Sequence, residues 1–586
     1  MRFLLVALNS KYIHSNPAVY SLRAYAKAAG LPENCQVELA EYTINELVEH
    51  ILQQIYEAQP DVIGFSCYIW NITYIRQLVA DLQHILPHVP IWLGGPEASY
   101  HAEELLEEMA GVTGIMVGEG ERTFSMLLSH YCEGRLLSQI PGLVYRQQDV
   151  ICNTGEQCPF DISEIPFLYT GLSEFSNRIV YYESSRGCPY RCSYCLSSID
   201  RRVRFRFMEQ VKEELDFFLE QRVAQVKFID RTFNADPRRS LEIWQYLTEH
   251  DNGITNFHFE ISADLLTEAE FAVFGQMRPG LIQLEIGVQT TNPDTMKAIR
   301  RHAPFAKIAK AVTRIRQMKR IHQHLDLIAG LPYEDYESFG RSFDDVYRLH
   351  PDQLQLGFLK VLKGSDMYEK AESYGIVCSE RPPYEVLFTT WLPYEKLLQL
   401  KGIEDVVETY YNSGQFKTTI AYLEILYPRP FLLYEQLAAF CRQDGAHRMA
   451  HSRMQQYERL LAFVTEQAPK GLDRTIFASA LVHDCYLREN CKSRPSFARE
   501  EGLVDKDTAR NFYQQEAVAH QYLNGYEEYT SKQLANMTHL EQYPVDVLQL
   551  QARTVCRKPV TLLYDYRNRE PFHHDGRVWN VTSLVK

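Results

Sequence analysis

The stretch RIVYYESSRGCPYRCSYCLSS, residues 178–198, reads as a β-strand running straight into a cysteine loop. Cys188, Cys192 and Cys195 stand there in a CxxxCxxC arrangement. Thiolates are soft ligands, and three of them in a tight loop suit iron–sulfur chemistry. Three ligands on a four-iron cluster leave one iron open to bind and reduce a small molecule. Gly187 lets the backbone curl round such a cluster, and Pro189 stiffens the start of the loop. A zinc loop would ask for four ligands, commonly as two CxxC pairs, and no second pair exists. Thirteen cysteines in 586 residues would rarely place three within eight positions by chance.

Downstream of the loop, strand-like and amphipathic helical stretches alternate. QVKFIDRTFNAD (225–236), NFHFEISADLL (256–266), LIQLEIGVQTTN (281–292), HQHLDLIAGLP (322–332) and QLQLGFLKVLKGSDM (353–367) read as strands with polar ends. With the strand entering the cysteine loop, these make about six βα units, a partial (β/α)6 barrel over residues 178–366. Catalytic groups of parallel barrels sit at the carboxyl ends of strands. That places Asp230, Glu260, Gln289 and Asp326 on the working face.

Upstream, residues 1–138 alternate in the same way, beginning with RFLLVAL (2–8) and PAVYSLRAYAKAAG (17–30). The pattern predicts an α/β, doubly wound, Rossmann-like parallel sheet, which binds ligands beyond the carboxyl ends of its strands. Those ends carry Asn9 and His14, Ser66 and Asn71, then Gly94, Gly95, Pro96 and Glu97, then Gly118, Glu119 and Gly120. The glycines permit close approach of backbone to ligand. No GxGxxG follows the first strand, which argues against a dinucleotide. Residues 139–177 read as a linker with a small hairpin, and 367–586 as a mainly helical domain with a small β tail. Within the latter, HDCYLRENC (483–491) gathers metal-ligand types, but ordinary helix packing accounts for it.

A net charge of −14 argues against broad nucleic-acid binding, which needs a basic surface. RRVRFRF (201–207) is the one basic strip near the loop, and it reads as a solvated face. No run of about eighteen apolar residues occurs, so no membrane span is expected. The scattered cysteines outside the loop show no disulfide framework, which fits a reducing cytoplasm.

The cysteine loop, with Tyr194 just before its last cysteine, resembles the radical S-adenosylmethionine (SAM) signature. In that family the fourth iron chelates SAM, and reductive cleavage gives a 5′-deoxyadenosyl radical. An external donor of flavodoxin or ferredoxin type supplies the electron. FEISADLL, IGVQTTN and DLIAGLPYEDYESF resemble strand-end motifs of the branch that includes oxygen-independent coproporphyrinogen oxidases. By that resemblance Glu260, Gln289, Arg301 and Asp326 contact SAM; Asp230 and Arg231 also stand at a strand end, where substrate or SAM would lie. FLKVLKGSDM departs from the Pro-Gly-Thr usual at its place. Residues 1–138 resemble the cobalamin-binding domain found ahead of many radical SAM domains. The DxHxxG segment whose histidine ligates cobalt is missing. His14 is the one histidine near a suitable strand end, in a different context, so base-off cobalamin is expected.

The cofactors implied are a 4Fe-4S cluster, SAM and cobalamin. The reaction expected is methyl transfer to an unactivated carbon, through the deoxyadenosyl radical and methylcobalamin. Radical cyclisation or rearrangement, modification of an RNA base, and a cobalamin- or redox-responsive binding protein are the alternatives. Methyl transfer requires the carboxyl edge of the first sheet to face the open mouth of the barrel. The helical remainder would wall the cavity, and its deletion should leave cluster assembly intact. The substrate is not legible.

Overall fold

In the computed structural model, residues 1–443, 445, 451–491, 493–498, 502–569 and 575–585 are described. β1 (Arg2–Asn9) is buried on both faces and forms the middle of the first sheet. Phe3, Leu5 and Ala7 face one apolar core, while Leu4, Val6 and Leu8 face another, as the twofold period of a strand dictates. β1 pairs in parallel with β2 (Gln36–Thr43) and β3 (Val62–Ser66), and β4 (Ile91–Gly94) and β5 (Gly114–Met116) continue the parallel set. The expected hairpin, β6 (Leu143–Gln147) and β7 (Val150–Asn153), extends this sheet antiparallel from β5. The sheet is seven-stranded, in order β2-β1-β3-β4-β5-β6-β7. The order reverses at β1 and β3, the place where open α/β sheets open a crevice beyond their strand ends.

The second sheet has six parallel strands in order β15-β14-β13-β12-β11-β8. They are β8 (Val180–Tyr182), β11 (Gln225–Phe228), β12 (Asn256–Ile261), β13 (Ile282–Gln289), β14 (His322–Ala329) and β15 (Gln353–Phe358). Between β8 and β11, a short antiparallel ribbon, β9 (Ser185–Arg186) with β10 (Arg204–Phe205), closes the base of the cysteine loop. Each later strand is followed by a helix, giving the open partial barrel. On β12, β13 and β14 the side chains of one face are charged: His258 and Glu260, Glu285, His324 and Asp326.

The C-terminal part is helical, with a small ribbon β16 (Val377–Cys378) with β17 (Val386–Phe388). It ends in a three-stranded antiparallel sheet of β18 (Thr538–Tyr543), β19 (Val560–Asp565) and β20 (Arg577–Asn580). His483, Asp484 and Cys485 are packing residues here. His483 Nδ1 meets the Tyr564 hydroxyl at 2.6 Å, and the Asp484 carboxylate accepts from the backbone N–H groups of Thr418 and Thr419. One apolar core runs from Phe3 through the barrel to Tyr564. Among the described residues no helix is long and apolar enough to cross a membrane.

Candidate active site

The cysteine loop is braced from all sides. Cys188 N donates to Asp200 O, and Ser193 accepts from Met367 N while donating to Ile299 O. Gly187 takes φ +97°, and a Cβ there would strike the Arg202 carbonyl oxygen. Cys188 and Cys192 are buried. Three thiolates round one zinc, at about 2.3 Å each, would hold their sulfurs within roughly 4 Å of one another. Among the described residues, the three ligand atoms that come that close, within 4.8 Å of one another, belong to Glu285, His324 and Asp326 and not to the cysteine loop. Cys188 Sγ lies 3.7 Å from the Thr232 hydroxyl, and Cys192 Sγ lies 3.9 Å from Arg301 Nη1. Burial raises the Tyr194 hydroxyl, which neighbours Arg301 and Cys192.

Beside the loop, Arg301 and Gln289 converge. Arg301 Nη2 donates to the Gly287 carbonyl oxygen. The ladder between β13 and β14 slips between Gly287 and Gln289, and Gln289 sits at φ +72°, a conformation costly outside glycine. A Cβ on residue 287 would collide with the Gln289 amide, so Gly287 lets that side chain fold back over the strand. Gln289 Oε1 and Arg301 Nε are buried without a hydrogen-bond partner. Unmet polar atoms beside a cluster loop fit a ligand that carries both charge and hydroxyls, as SAM does.

Glu260 stands directly opposite Glu285 across the β12–β13 ladder, on the edge of an ionic floor. Burial, then the neighbouring Glu285, raise its carboxyl to about 7. Burial also opposes the charge of Glu285, but His258 at 3.0 Å, Lys227 at 3.1 Å and nearby His324 together hold it at about 2. Lys227, and His324 whose imidazole Asp326 holds above its ordinary value, supply positive charge beside Glu285, while burial pushes His258 down and leaves it a neutral partner. Asp326 stands 2.8 Å from His324 Nε2.

Asp230 is elsewhere than expected. It is 1% exposed, and its carboxylate accepts from Ser184 N, Ser184 Oγ and Ser185 Oγ. It braces the strand entering the loop, and with 1% exposure it is closed off behind those serines.

A groove of about 820 Å³ lies between the two sheets. From the first sheet it takes Ser66, Gly94, Gly95, Pro96, Gly118, Glu119 and Gly120, and from the second Tyr181, Tyr182, Glu183, Arg186 and Arg231. Gly95 adopts φ +100°, and a Cβ there would meet the Cys67 carbonyl oxygen, which keeps the β4 end open. The remaining sequence candidates stand behind this wall. Asn71 gives its amide to Leu8 O and Ser66 O and accepts from Tyr68 N. Asn9 Nδ2 donates to His14 O and Glu41. His14 Nδ1 meets the Tyr181 hydroxyl of β8 at 2.6 Å. Glu97 is buried against the Tyr384 hydroxyl.

Charged pairs fasten the groove's two sides. Arg186 of β9 contacts Glu121 at 2.9 Å and Glu119 at 3.5 Å, and Arg204 of β10 binds Glu119 and Asp200. Arg206 pairs with buried Glu214. Half of the basic strip 201–207 is therefore spent on carboxylates. Arg186 with Glu121 and Arg204 with Glu119 join residues 65 and 85 positions apart, and no local sequence pattern marks them.

The family model of the B12 binding domain matches residues 4–128, and that of the radical SAM superfamily residues 182–346. The chain carries the two domains of a cobalamin-dependent radical SAM enzyme. Its cofactors are cobalamin, SAM and a 4Fe-4S cluster. A third model, of a protein of unknown function (DUF4080), matches residues 372–564. Similar curated proteins include an uncharacterized methyltransferase of Pyrococcus horikoshii, 24% identical over 55% of this chain and 71% of its own. The cobalamin-dependent radical SAM methyltransferase TokK of Streptomyces tokunonensis is 24% identical over 54% of this chain; the chain spans only 50% of TokK. The anaerobic magnesium-protoporphyrin IX monomethyl ester cyclase of Synechocystis is 23% identical over 64% of this chain and 77% of its own. Among solved structures, the radical SAM methyltransferase TsrM from Kitasatospora setae, with cobalamin and a 4Fe-4S cluster bound, superposes at TM-score 0.55, with 16% identity over 65% of this chain and 78% of that one. The cobalamin-dependent SAM radical enzyme OxsB with aqua-cobalamin bound gives TM-score 0.52, with 16% identity over 89% of this chain and 76% of that one. At these identities the structural likeness is one of fold.

Proposed function

We propose that this enzyme transfers a methyl group to an unactivated carbon. The observation carrying the reading is the groove, which the carboxyl ends of both sheets line together. A carbon held there has access to both sides, as transfer between two reactive centres demands. When bound, the cluster and SAM supply a 5′-deoxyadenosyl radical, and cobalamin supplies a methyl group compatible with a carbon radical. Cys188, Cys192 and Cys195 hold the cluster. Arg301, anchored on Gly287 O, takes the SAM carboxylate as a charge-assisted partner. Gln289 donates to and accepts from the ribose hydroxyls, and Glu260 and Asp326 take the ammonium or the remaining hydroxyls. Tyr194 packs beside Arg301 and fixes its reach.

On the other side Ser66, Gly94, Gly95, Pro96, Gly118 and Gly120 form the cobalamin face. Asn9, Asn71 and Glu97 hold the loops behind it, and Glu119 secures it to the barrel through Arg204. His14 is engaged with Tyr181, which supports base-off binding without a histidine ligand. An external donor of flavodoxin or ferredoxin type would reduce the cluster held by these cysteines.

Radical cyclisation is the second reading, favoured by the cyclase relative that covers 64% of this chain. S-Adenosylhomocysteine separates the two. Reduced holoenzyme mixed with SAM should release about one equivalent per bound cobalamin, and cobalamin-free protein none. Formation of 5′-deoxyadenosine without any S-adenosylhomocysteine would replace methyl transfer by cyclisation.

A further inference from the structure

The groove is lined by Arg186, Arg202, Arg206 and Arg231, and these fall into two kinds. Arg186 is shared among Glu119, Glu121 and Glu183, and Arg206 is bound to Glu214. Arg231 and Arg202 are exposed, and among the described residues neither guanidinium makes an ion pair. The chain as a whole carries 75 carboxylates against 61 basic groups, and the groove nonetheless keeps these two guanidinium groups on its wall.

Arg231 is also held in place. Asp230 before it is fixed by Ser184 and Ser185, and Thr232 after it touches Cys188 Sγ at 3.7 Å. Its charge is felt by Glu260 on the barrel side and by Tyr68 on the first-sheet side, so it stands where the two halves of the groove meet. Guanidinium stays charged at any working pH and binds oxyanions through a planar fork. Arg301 is already placed on the SAM carboxylate, beside Cys192.

The geometry points to an anionic substrate: a small molecule bearing a carboxylate or phosphate that Arg231 binds, with Arg202 as a second contact, while the carbon to be alkylated lies between the two cofactor sides. This rests on the reading of the groove as the substrate cavity.

The test is a calorimetric titration of the holoenzyme, loaded with cluster, cobalamin and SAM, with succinate and with inorganic pyrophosphate. Wild type should bind at least one, and the arm that binds tells carboxylate from phosphate. Arg231→Gln should weaken that probe at least tenfold and Arg231→Lys less, while SAM and cobalamin affinities stay within twofold of wild type. Wild type binding neither probe, or Arg231→Gln binding as wild type does, overturns the proposal. So does loss of SAM or cobalamin affinity in Arg231→Gln, since Arg231 would then serve a cofactor. S-Adenosylhomocysteine release does not enter these titrations, so the methyl-transfer reading can fail while the anion site stands.

Discussion

Replacing Cys188 by alanine leaves the Thr232 hydroxyl, 3.7 Å from the lost sulfur, as a neighbour, and a neutral hydroxyl is a poor substitute for a thiolate on iron. Alanine at Cys188, Cys192 or Cys195 should therefore remove the brown absorbance and leave SAM uncleaved; iron retained at wild-type stoichiometry would sink the cluster assignment. Glu334 permits a test by pH. It is buried, with the hydroxyls of Thr290 and Ser342 on one oxygen and no partner on the other. Burial lifts its carboxyl to about 7 from 4.5. The folded state therefore holds this proton more tightly than the unfolded chain. The stabilisation is full below the unfolded value and is lost as pH rises through about 7, by up to about 3 kcal/mol. Glu334→Gln mimics the protonated acid, so its Tm advantage over wild type should widen between pH 5 and 8. A constant Tm difference would contradict the assignment. At this scale the sequence is legible where chemistry is local. Three cysteines in eight positions speak for themselves, whereas Asp230 and Arg231 are adjacent in the chain and differ only in which way the fold turns them.

Most strands and helices follow from periodicity, because a strand buried on both faces and a helix buried on one leave different patterns. The hairpin β6–β7 is legible as a hairpin, but its pairing with β5 is a tertiary choice, made by an otherwise bare sheet edge. Helix caps divide the same way. Asn16, Asp236, Asn292 and Thr267 cap helices a residue or so downstream, as the sequence suggests. The helix Lys417–Leu426 has no cap of its own; its first N–H groups are met by Asp484, 66 positions away. Asp484→Ala should leave two buried donors unmet and cost about 2–3 kcal/mol, read as a lowered midpoint of chemical unfolding. A change within about 0.5 kcal/mol would mean that water replaces the carboxylate there.

For the whole molecule, the question is whether the C-terminal segment is separable. The helix Tyr336–Tyr347, which belongs to the barrel, turns Phe339, Phe343 and Tyr347 towards Phe431 and Tyr434 of the helix Pro430–Gln443. Phe343 meets Phe431 at 5.5 Å and Tyr434 at 5.7 Å between ring centres, and the Tyr347 and Tyr434 hydroxyls are 2.9 Å apart. Tyr384 reaches the first domain at Glu97, and the Tyr100 ring fills the space a side chain at Gly364 would take. The sequence shows each stretch as helical but not which apolar stripe covers which, so the segment looked dispensable for cluster assembly. The continuous core argues the other way. A chain cut after residue 371 would expose a large aromatic patch on the barrel's own helix, and such patches drive aggregation. The truncated protein should be found in the insoluble fraction, without iron. A milder probe keeps the chain intact: Tyr434→Ala should cost about 3–5 kcal/mol, as large-to-small changes at fully buried aromatics do. Because that ring supports the barrel, the variant should also lose iron faster than wild type at a temperature where both stay soluble. Soluble, iron-loaded 1–371 protein would show that the barrel's stability is its own, and that the C-terminal domain only covers it.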